Sequence, residues 1–289
     1  CLHYGEKICI ENMTNSIGGN AANVAVGLAQ FKKHSAILSE LGKDPQGAFI
    51  VSELKKLGVE TKEVEQKKNA NTRVAVVLNY EAERTILSYN DAKPYKKRSI
   101  PHAKLYYLTS LGKGFSTIAK QLQYRKKRSP SSLLALNPGS YQMEHDIEDM
   151  RKILPSVDLL FVNKQEAQKI SKLNSKNEKK LLRALSELGA HQVIITDGAQ
   201  GSFSSNGVQS WYLPVYPLKP KAKTGAGDAY ASGFLVATLN GKTLPEAMQY
   251  GSANAASVIT KLGAQHGLLN ERGVRKLIRR YKSIVPEAL

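Results

Sequence analysis

The sequence predicts an α/β protein whose core is a doubly wound, mainly parallel sheet flanked by helices, with a small β-sheet lid beside it. Three observations support this fold class. After Pro101, short apolar segments alternate with helical patterns, which is typical of βαβ units and parallel sheets. Two β-rich runs before Pro101 do not fit that alternation, and glycine-rich or polar loops follow several of the apolar segments.

The N-terminal part of the chain is predicted to contain two strands and two helices. The segment "KICIENM" (7–13) alternates between apolar and polar residues, as a half-buried strand does. After Gly18, apolar residues recur at helical spacing, and "SAILSE" (35–40) has the composition of a buried strand. The segment "PQGAFIVSELKKLGV" predicts a helix that ends at Gly58.

The predicted lid comes from the two β-rich runs. "TRVAVVLN" and "RTILSYN" are separated by "YEAE", a pattern that predicts a hairpin. We expect this hairpin and the N-terminal strand to form an accessory sheet that covers one edge of the α/β core. The predicted core comprises residues 18–70 and 101–289, and the predicted lid comprises residues 1–17 and 71–100.

The remaining core elements follow one another in a regular order. "KLYYLTS", "SSLLALN", "VDLLFVN" and "HQVIIT" predict strands, and the segments between them predict helices. The last third of the chain is mostly helical, with helices predicted over 225–239, about 244–262, and 271–282.

Composition restricts the class of protein. No apolar run approaches the roughly 20 residues that a membrane-spanning helix needs, so we expect no membrane association. Cys1 and Cys9 are the two cysteines, which favours a reducing, cytoplasmic environment over a disulfide framework.

The net charge of +18 suggests a nucleic-acid partner, but the cations lie at many helix ends and turns without interleaved aromatic residues. We therefore do not expect nucleic-acid binding.

A glycine-rich loop before a predicted helix, "KTGAGDAY", is the first candidate site. Thr224 is a suitable N-cap, and the backbone N–H groups of Gly225, Ala226 and Gly227 would lie in the first turn, where an anion can approach closely. Asp228 lies at the end of that turn. From spacing alone, a carboxylate that merely complements the helix dipole is the stronger interpretation. The loop matches neither the P-loop nor the dinucleotide-binding fingerprint.

Other candidate residues surround glycine turns and strand ends. The motif "GGNAAN" places amide groups on one face of a helix, which suits sugar hydroxyls, although a glycine turn with a capping asparagine explains it equally well. Its residues are Gly18, Gly19, Asn20 and Asn23.

Three further loops directly follow predicted strands. Asn163 and Glu166 could hold hydrated Mg²⁺ through water, or simply begin a helix. Thr196, Gly198 and Gly201 form a glycine turn that permits close approach of a ligand, or a bare turn before another strand. The third loop begins at Asn137. Since ligands of open α/β sheets bind at the carboxyl ends of strands, these loops together predict one ligand crevice.

Taken in order, these motifs make the chain resemble the ribokinase-like (PfkB) carbohydrate kinase family. The matching segments are "GGNAANVAVGLAQF", "GKDPQGAFIVSELKKLGVET", "NPG", "NKQEA", "TDGAQG", "TGAGDAYASGFL" and "GSANAASVITKLGAQ". They span nearly the whole chain, and the two glycine motifs in this order are specific to the family.

The resemblance implies the ribokinase-like fold and transfer of the γ-phosphoryl group of ATP to a hydroxymethyl group of a ribose- or fructose-like sugar, with Mg²⁺. Asp228 would be the general base, and the N–H groups of Gly225, Ala226 and Gly227 would form an anion hole. The residues implied for the sugar are Gly18, Gly19, Asn20, Asn23 and Asn137. Those implied for ATP are Asn163, Glu166, Thr196, Gly198, Gly201, Thr224 and Asn254, of which Asn163 and Glu166 would also act on Mg²⁺ through water.

Two departures from the family pattern stand out. Family members usually begin with a core strand and a sugar-binding aspartate upstream of the first glycine motif, so we expect that strand to lie upstream of residue 1. The family also commonly carries an aspartate, which helps to bind a monovalent cation, where this chain has Ala222 followed by Lys223. We hypothesise that the Lys223 ammonium takes the place of a potassium ion.

Several alternatives stay open within the resemblance. An adenosine-type nucleoside kinase is one, although the short lid has few aromatic residues to stack on a base. A kinase of phosphorylated sugars is another, given the lysines and Arg84 of the lid. A non-catalytic ligand- or nucleic-acid-binding relative is the third, against which Asp228 argues. Lid strands in this family often pair between protomers, so a homodimer through the lid is also considered.

Overall fold

The computed structural model describes residues 5, 7, 9–80, 83–89 and 94–289, with the backbone alone at positions 79, 80, 83 and 84. The described strands are β1 (Ser35–Ala36), β2 (Ser39–Gly42), β3 (Val59–Glu60), β4 (Val64–Lys67), β5 (Val74–Tyr80), β6 (Glu83–Tyr89), β7 (Leu105–Thr109), β8 (Leu133–Asn137), β9 (Leu159–Asn163), β10 (Gln192–Thr196), β11 (Ser202–Ser205), β12 (Ser210–Leu213) and β13 (Glu287–Ala288). The described α-helices are α1 (Asn20–Gln30), α2 (Pro45–Lys56), α3 (Phe115–Arg128), α4 (Ser140–His145), α5 (Ile147–Ile153), α6 (Lys164–Ser171), α7 (Glu178–Glu187), α8 (Ala226–Leu239), α9 (Leu244–Val258) and α10 (Glu271–Arg280).

A seven-stranded sheet in the spatial order β13-β12-β11-β10-β9-β8-β7 forms the centre of the protein. Strands β7 to β10 are parallel, and β11 to β13 continue the sheet antiparallel. Side chains of one strand alternate between two cores, as strands covered on both faces require. On β9, for example, Leu160 and Val162 pack with helices of one layer, whereas Leu159 and Phe161 pack against the other. The predicted α/β fold is confirmed.

The two strands predicted in the N-terminal part of the chain differ from those in the structure. No strand forms at the described residues of the 7–13 segment, where Ile10 and Met13 are 65% and 78% exposed. The single strand predicted for 35–40 is instead two short strands, because β1 pairs with β3 while β2 pairs with β4. Helix α2 ends as predicted just before Gly58, which adopts a left-handed φ of 79°. Helix α9 ends at Val258, earlier than predicted.

The predicted hairpin is confirmed as the antiparallel pair β5–β6, which forms a separate two-stranded sheet. Both ends of the segment that carries it are fixed to the core. Before β5, the Asp44 carboxylate accepts hydrogen bonds from the Thr72 hydroxyl (2.6 Å) and from the Thr72 N–H (2.7 Å), and these bonds lower the pKa of Asp44. After β6, the Arg98 guanidinium donates to the carbonyls of Ser39 and Glu63. The division of the chain into core and lid stays a prediction.

Helix α8 is buried on all sides and lies between α1 and α9. Glycines make this close packing feasible. A Cβ on Gly233 would lie 2.6 Å from the carbonyl oxygen of Tyr250 on α9, and a Cβ on Gly27 of α1 would collide with the Ser232 hydroxyl of α8. The position of the N-terminus of α8 is therefore set by two neighbouring helices. Within the described residues, no helix combines the length and the apolarity that crossing a membrane would require.

Candidate active site

Polar residues occupy the last position of four neighbouring parallel strands. These residues are Thr109 on β7, Asn137 on β8, Asn163 on β9 and Thr196 on β10. In the sheet register, Thr109 is paired with Asn137 and Asn163 with Thr196. The structure thus brings three predicted site residues to one edge of the sheet, as expected for the carboxyl ends of parallel strands. Thr109 was not predicted.

The side chain of Asn137 is fixed by both neighbouring strands. The hydroxyl of Tyr107 on β7 donates to Asn137 Oδ1 (3.1 Å), and Asn137 Nδ2 donates to the carbonyl of Phe161 on β9 (2.9 Å). Burial raises the pKa of Tyr107 well above its usual value, and the negative charge of Asp228 raises it further. Asp228, in the first turn of α8, therefore lies within electrostatic range of the tyrosine that holds Asn137.

Asp228 is a buried carboxylate, 8% exposed, in the first turn of α8. Its Oδ2 accepts a hydrogen bond of 2.7 Å from Asn23 Nδ2 on α1. Burial raises the pKa of Asp228 to about 6, while the bond from Asn23 acts in the opposite direction. A carboxylate with such a pKa is mostly ionised at neutral pH and can still accept a proton efficiently.

The predicted N-cap of α8 is wrong by one position. Gly225, not Thr224, is the N-cap, with a left-handed φ of 79° and no side-chain capping bond. That conformation strongly favours glycine and is not helical, so the helix starts at the next residue, Ala226. Gly227 is exposed and has open space beside its Cα. The first-turn N–H groups of a helix have no partner within the helix, and in α8 the Ala226 N–H makes a long bond to the Lys223 carbonyl (3.4 Å) just before it. An anion that approaches this end of α8 meets a positive helix terminus.

The "GGNAAN" motif divides into an open part and a buried part. Gly18 and Gly19 are exposed with open space beside them, and Gly19 caps α1 with a φ of 94°. Asn20 is half-buried. Asn23, in contrast, is 5% exposed and uses both ends of its amide within the protein. Its position favours holding Asp228 over the direct sugar contact that the sequence predicted.

Gln265 is the functional residue that sequence reasoning missed. It lies in the loop between α9 and α10, and its Nε2 donates to Asn23 Oδ1 (2.9 Å) and to the carbonyl of Ile17 (3.4 Å). Because Gln265 donates to the oxygen of the Asn23 amide, the Asn23 NH₂ group is turned toward Asp228. Next to it, Ala264 packs directly against Gly225. The sequence showed "GAQ" only as the end of a family segment, and its spacing gave no signal for this role.

Asn163 and Glu166 form a capping box at the start of α6. Asn163 Oδ1 accepts from the Glu166 N–H (2.9 Å), and Glu166 Oε2 accepts from the Asn163 N–H (2.8 Å). The helix-start interpretation of this pair is confirmed. Burial raises the pKa of Glu166.

The residues predicted for the nucleotide differ in accessibility. Thr196 is half-buried and Gly198 is exposed, whereas Gly201 is buried with a φ of 93°. Asn254 is fully buried: its Nδ2 donates to the Ala229 carbonyl and to the Ser232 hydroxyl, and its Oδ1 accepts from the Leu269 N–H. This position favours joining α8 to α9 and the following loop over direct contact with a nucleotide.

The lysines before α8 lie on an exposed strap. The N–H groups of Lys221 and Ala222 both donate to the carbonyl of Ile259, just after α9. Lys219, Lys221 and Lys223 are exposed. Within the part of the chain that the structure describes, Lys223 has no carboxylate partner.

Comparison with known proteins places this geometry in context. The sequence model of the family described as "pfkB family carbohydrate kinase" matches residues 2–271. A curated relative, 5-dehydro-2-deoxygluconokinase of Bacillus subtilis (strain 168), is 27% identical over 289 residues, which cover 93% of this chain and 89% of the relative. Among solved structures, ribokinase of Arabidopsis thaliana complexed with ribose and ATP has a TM-score of 0.81 at 23% identity, covering 96% of this chain and 92% of that chain. A ribokinase II from E. coli in complex with ATP and Mg²⁺ has a TM-score of 0.78 at 17% identity, with 96% and 94% covered. These structures share the fold.

The hydrogen-bond chain predicts how Asp228 titrates. In protein with ¹³C-labelled aspartate, the Asp228 carboxyl signal, assigned with Asp228→Asn, should titrate near the pKa of about 6. Donation by Asn23 stabilises the charged carboxylate, so Asn23→Ala should raise this pKa. Gln265→Met should raise it as well, because the Asn23 amide is then free to turn.

Gln249→Met is the matched control, since Gln249 donates to the Ile284 carbonyl (3.4 Å) instead. It should leave the titration of Asp228 unchanged. A pKa of Asp228 that does not move in Asn23→Ala would contradict this account of the site.

Proposed function

The chain belongs to the pfkB family of carbohydrate kinases, phosphotransferases with an alcohol group as acceptor, and we propose that it transfers the γ-phosphoryl group of ATP to a hydroxymethyl group of a ribose- or fructose-like sugar. One observation carries the proposal. The buried carboxylate of Asp228 lies in the first turn of α8, at a helix N-terminus that suits an anion, and its charge raises the pKa of Tyr107 at the polar strand edge.

Asp228 acts as the general base in this proposal. It accepts the proton of the sugar hydroxyl while that oxygen attacks the γ-phosphorus and the bond from the γ-phosphorus to the ADP oxygen breaks. Phosphoryl transfer depends mainly on positioning and on charge stabilisation. Asn23 and Gln265 therefore serve as positioning residues, because they fix the orientation of the Asp228 carboxylate.

The proposed anion hole consists of the N–H groups of Gly225, Ala226 and Gly227, which would face charge that develops on the transferred group. The Ala226 N–H would exchange its long bond to the Lys223 carbonyl (3.4 Å) for this anion. Open space beside Gly227 supports this role, since a phosphoryl oxygen can reach the backbone there. A side chain on Gly225 would collide with Ala264, so the loop after α9 holds the N-cap in place.

Asn163 and Glu166 fit a role toward Mg²⁺ through water. Their side chains supply oxygen ligands, which Mg²⁺ prefers, but the capping box already uses the only side-chain oxygen of Asn163 and one carboxylate oxygen of Glu166. The described residues also contain no cluster of three His, Cys, Asp or Glu side chains, so direct coordination by several carboxylates is not expected. Bound Mg²⁺ would neutralise charge on the phosphates.

The two substrates would bind on opposite sides of Asp228. Exposure of Gly18 and Gly19 beside the half-buried Asn20 supports a sugar site there, to which we also assign Asn137, whereas Asn23 acts on the sugar through Asp228. On the nucleotide side, Thr196 and Gly198 are accessible at the carboxyl end of β10. We assign Gly201, Thr224 and Asn254 to the same side, Asn254 through its contacts with α8. The relative from Arabidopsis thaliana, complexed with ribose and ATP, supports this pair of substrates.

The acceptor sugar and the location of the protein stay predictions. A nucleoside or a phosphorylated sugar is the alternative acceptor, and the side chain of Arg84, which suggested the latter, lies outside the described residues.

The exposed free thiol of Cys9 fits the cytoplasmic location that we propose, while Cys1 lies outside the described residues.

Turnover of Asp228→Asn tests the proposed chemistry. Wild-type protein with Mg²⁺ and ATP should release ADP with at least one member of a panel of pentoses, hexoses, sugar phosphates and nucleosides. On that acceptor, Asp228→Asn should lower turnover by 10²-fold or more, because the base is lost, while both substrates still bind. Asp149→Asn, which changes a half-buried aspartate that pairs with Lys152 on α5, is the control. Unchanged turnover in Asp228→Asn would remove Asp228 from the mechanism.

We propose further that the Lys223 ammonium does the work of a monovalent cation beside the anion hole. Turnover should then be equal in potassium and in tetramethylammonium salts at the same ionic strength. Lys223→Ala should lower turnover, whereas Lys221→Ala, at an exposed neighbour, should not. Strong activation of the wild-type protein by potassium would contradict the proposal.

We also propose a homodimer through the lid. One face of the β5–β6 hairpin exposes Val74, Val76, Leu87 and Tyr89 by 44–57%, and such a contiguous apolar surface is typical of an interface. Light scattering should give about twice the chain mass of 31.7 kDa.

Val76→Lys with Leu87→Lys changes a directly paired couple on this face and should give a monomer. Val208→Lys with Val285→Lys, at exposed apolar positions outside the lid, should leave the dimer intact. A monomeric wild-type protein would rule the dimer out.

A further inference from the structure

Positive charge is concentrated in one stretch of the chain. Between Asp91 and Glu144 the sequence contains eleven of the 42 lysines and arginines and none of the 24 acidic residues. This stretch thus contributes +11 of the net charge of +18. The excess of positive charge in this stretch comes mainly from the absence of acidic residues that would neutralise its lysines and arginines.

The structure folds much of this stretch into one surface along α3. The segment before β7 is tied to α3 by Gln121, whose Nε2 donates to the Arg98 carbonyl (2.6 Å) and whose Oε1 accepts from the Arg98 N–H (3.2 Å). Lys97 thereby comes within electrostatic range of Tyr124 on α3. We define the α3 surface as Lys97, Lys120, Tyr124, Arg125 and Arg128.

An exposed aromatic ring lies in the middle of these cations. Tyr124 is 59% exposed, its hydroxyl accepts a hydrogen bond of 2.9 Å from Arg128, and the Arg128 guanidinium carbon lies 5.7 Å from the ring centroid. The bond from Arg128 and the charges of Arg128, Arg125 and Lys97 lower the pKa of Tyr124. Among the described residues, the cations of this surface have no carboxylate partner. They surround an exposed aromatic ring, one face of which carries the Arg128 guanidinium.

We propose that the α3 surface binds single-stranded nucleic acid, contrary to the expectation from the sequence, because the exposed ring of Tyr124 lies among the cations. Cations pair with successive phosphates, and an exposed aromatic ring stacks on an unpaired base, which a duplex does not present. A membrane fits less well, because the apolar residues of α3, including Phe115, Ile118 and Leu122, are buried in the protein core and leave none to insert.

The α3 surface is separate from the candidate active site. Helix α3 begins after the carboxyl end of β7 and runs back toward the amino ends of the strands. Lys126, near its end, donates to the carbonyl of Ser132 just before β8 and pairs with Asp158 just before β9. Asp228 and the polar strand ends lie at the opposite edge, so binding of nucleic acid and turnover of sugar can be changed independently.

Fluorescence anisotropy with a labelled single-stranded RNA of mixed sequence tests the proposal on the full chain. Lys97→Glu with Lys120→Glu should weaken binding at least tenfold at 0.15 M salt and make the salt dependence shallower, because phosphate contacts are lost. Tyr124→Ala should weaken binding about fivefold or more without changing the salt dependence.

Lys276→Glu with Arg279→Glu is the matched control, with the same change of charge on the exposed face of α10. It should change affinity less than twofold. All variants should keep sugar-kinase turnover, which also reports folding. Equal weakening by both double variants would show delocalised charge and overturn the proposal. Tighter binding to a duplex of the same sequence, or to phosphatidylserine vesicles, would overturn it too, as would no binding of the wild-type protein at 0.15 M salt.

Discussion

The hydrogen bond of 2.7 Å between Asn23 and Asp228 is the interaction on which the candidate site depends. A carboxylate as buried as Asp228 loses most of its hydration, and that loss favours the neutral acid. A single donated bond from Asn23 opposes the loss and leaves the group chargeable near neutral pH. That donor comes from α1, next to the glycines proposed for the sugar, while the acceptor belongs to the helix proposed to bind phosphate. The hydrogen bond between the two helices thus also holds the proposed sugar site next to the proposed phosphate site.

The surrounding helices fix the relative positions of Asn23 and Asp228. α8 is held on one side by α1 and on the other by α9, and glycines at both contacts bring backbone and side chains closer than any larger residue permits. Asn254 adds hydrogen bonds to α8 from within α9, and the loop carrying Gln265 closes over the assembly. Donors in a rigid first turn need no rearrangement when charge develops beside them, which is the condition for effective electrostatic stabilisation.

The sequence predicted features that depend on local pattern and missed those that depend on tertiary contact. Alternating strands and helices predicted the parallel sheet, and strand periodicity alone placed Asn137 and Asn163 at one edge. The N-cap of α8 was misplaced, because Thr224 has the better capping side chain while the fold requires the left-handed backbone of Gly225. Gln265 was missed since its partner lies 242 residues away, and no periodicity encodes such a contact.

The same separation governs the order in which the site can arise during synthesis. Asn23 is 205 residues from Asp228 and 242 residues from Gln265, so both partners emerge from the ribosome long after α1 and the first parallel strands. Contacts between residues so far apart in the sequence carry a large loop-closure cost, so they form late in folding. The contacts that orient Asp228 can therefore form only after the loop that carries Gln265 has been synthesised. In the proposed mechanism, competence for catalysis thus depends on completion of the chain, because a fragment that ends before residue 265 lacks the donor that orients Asn23 toward Asp228.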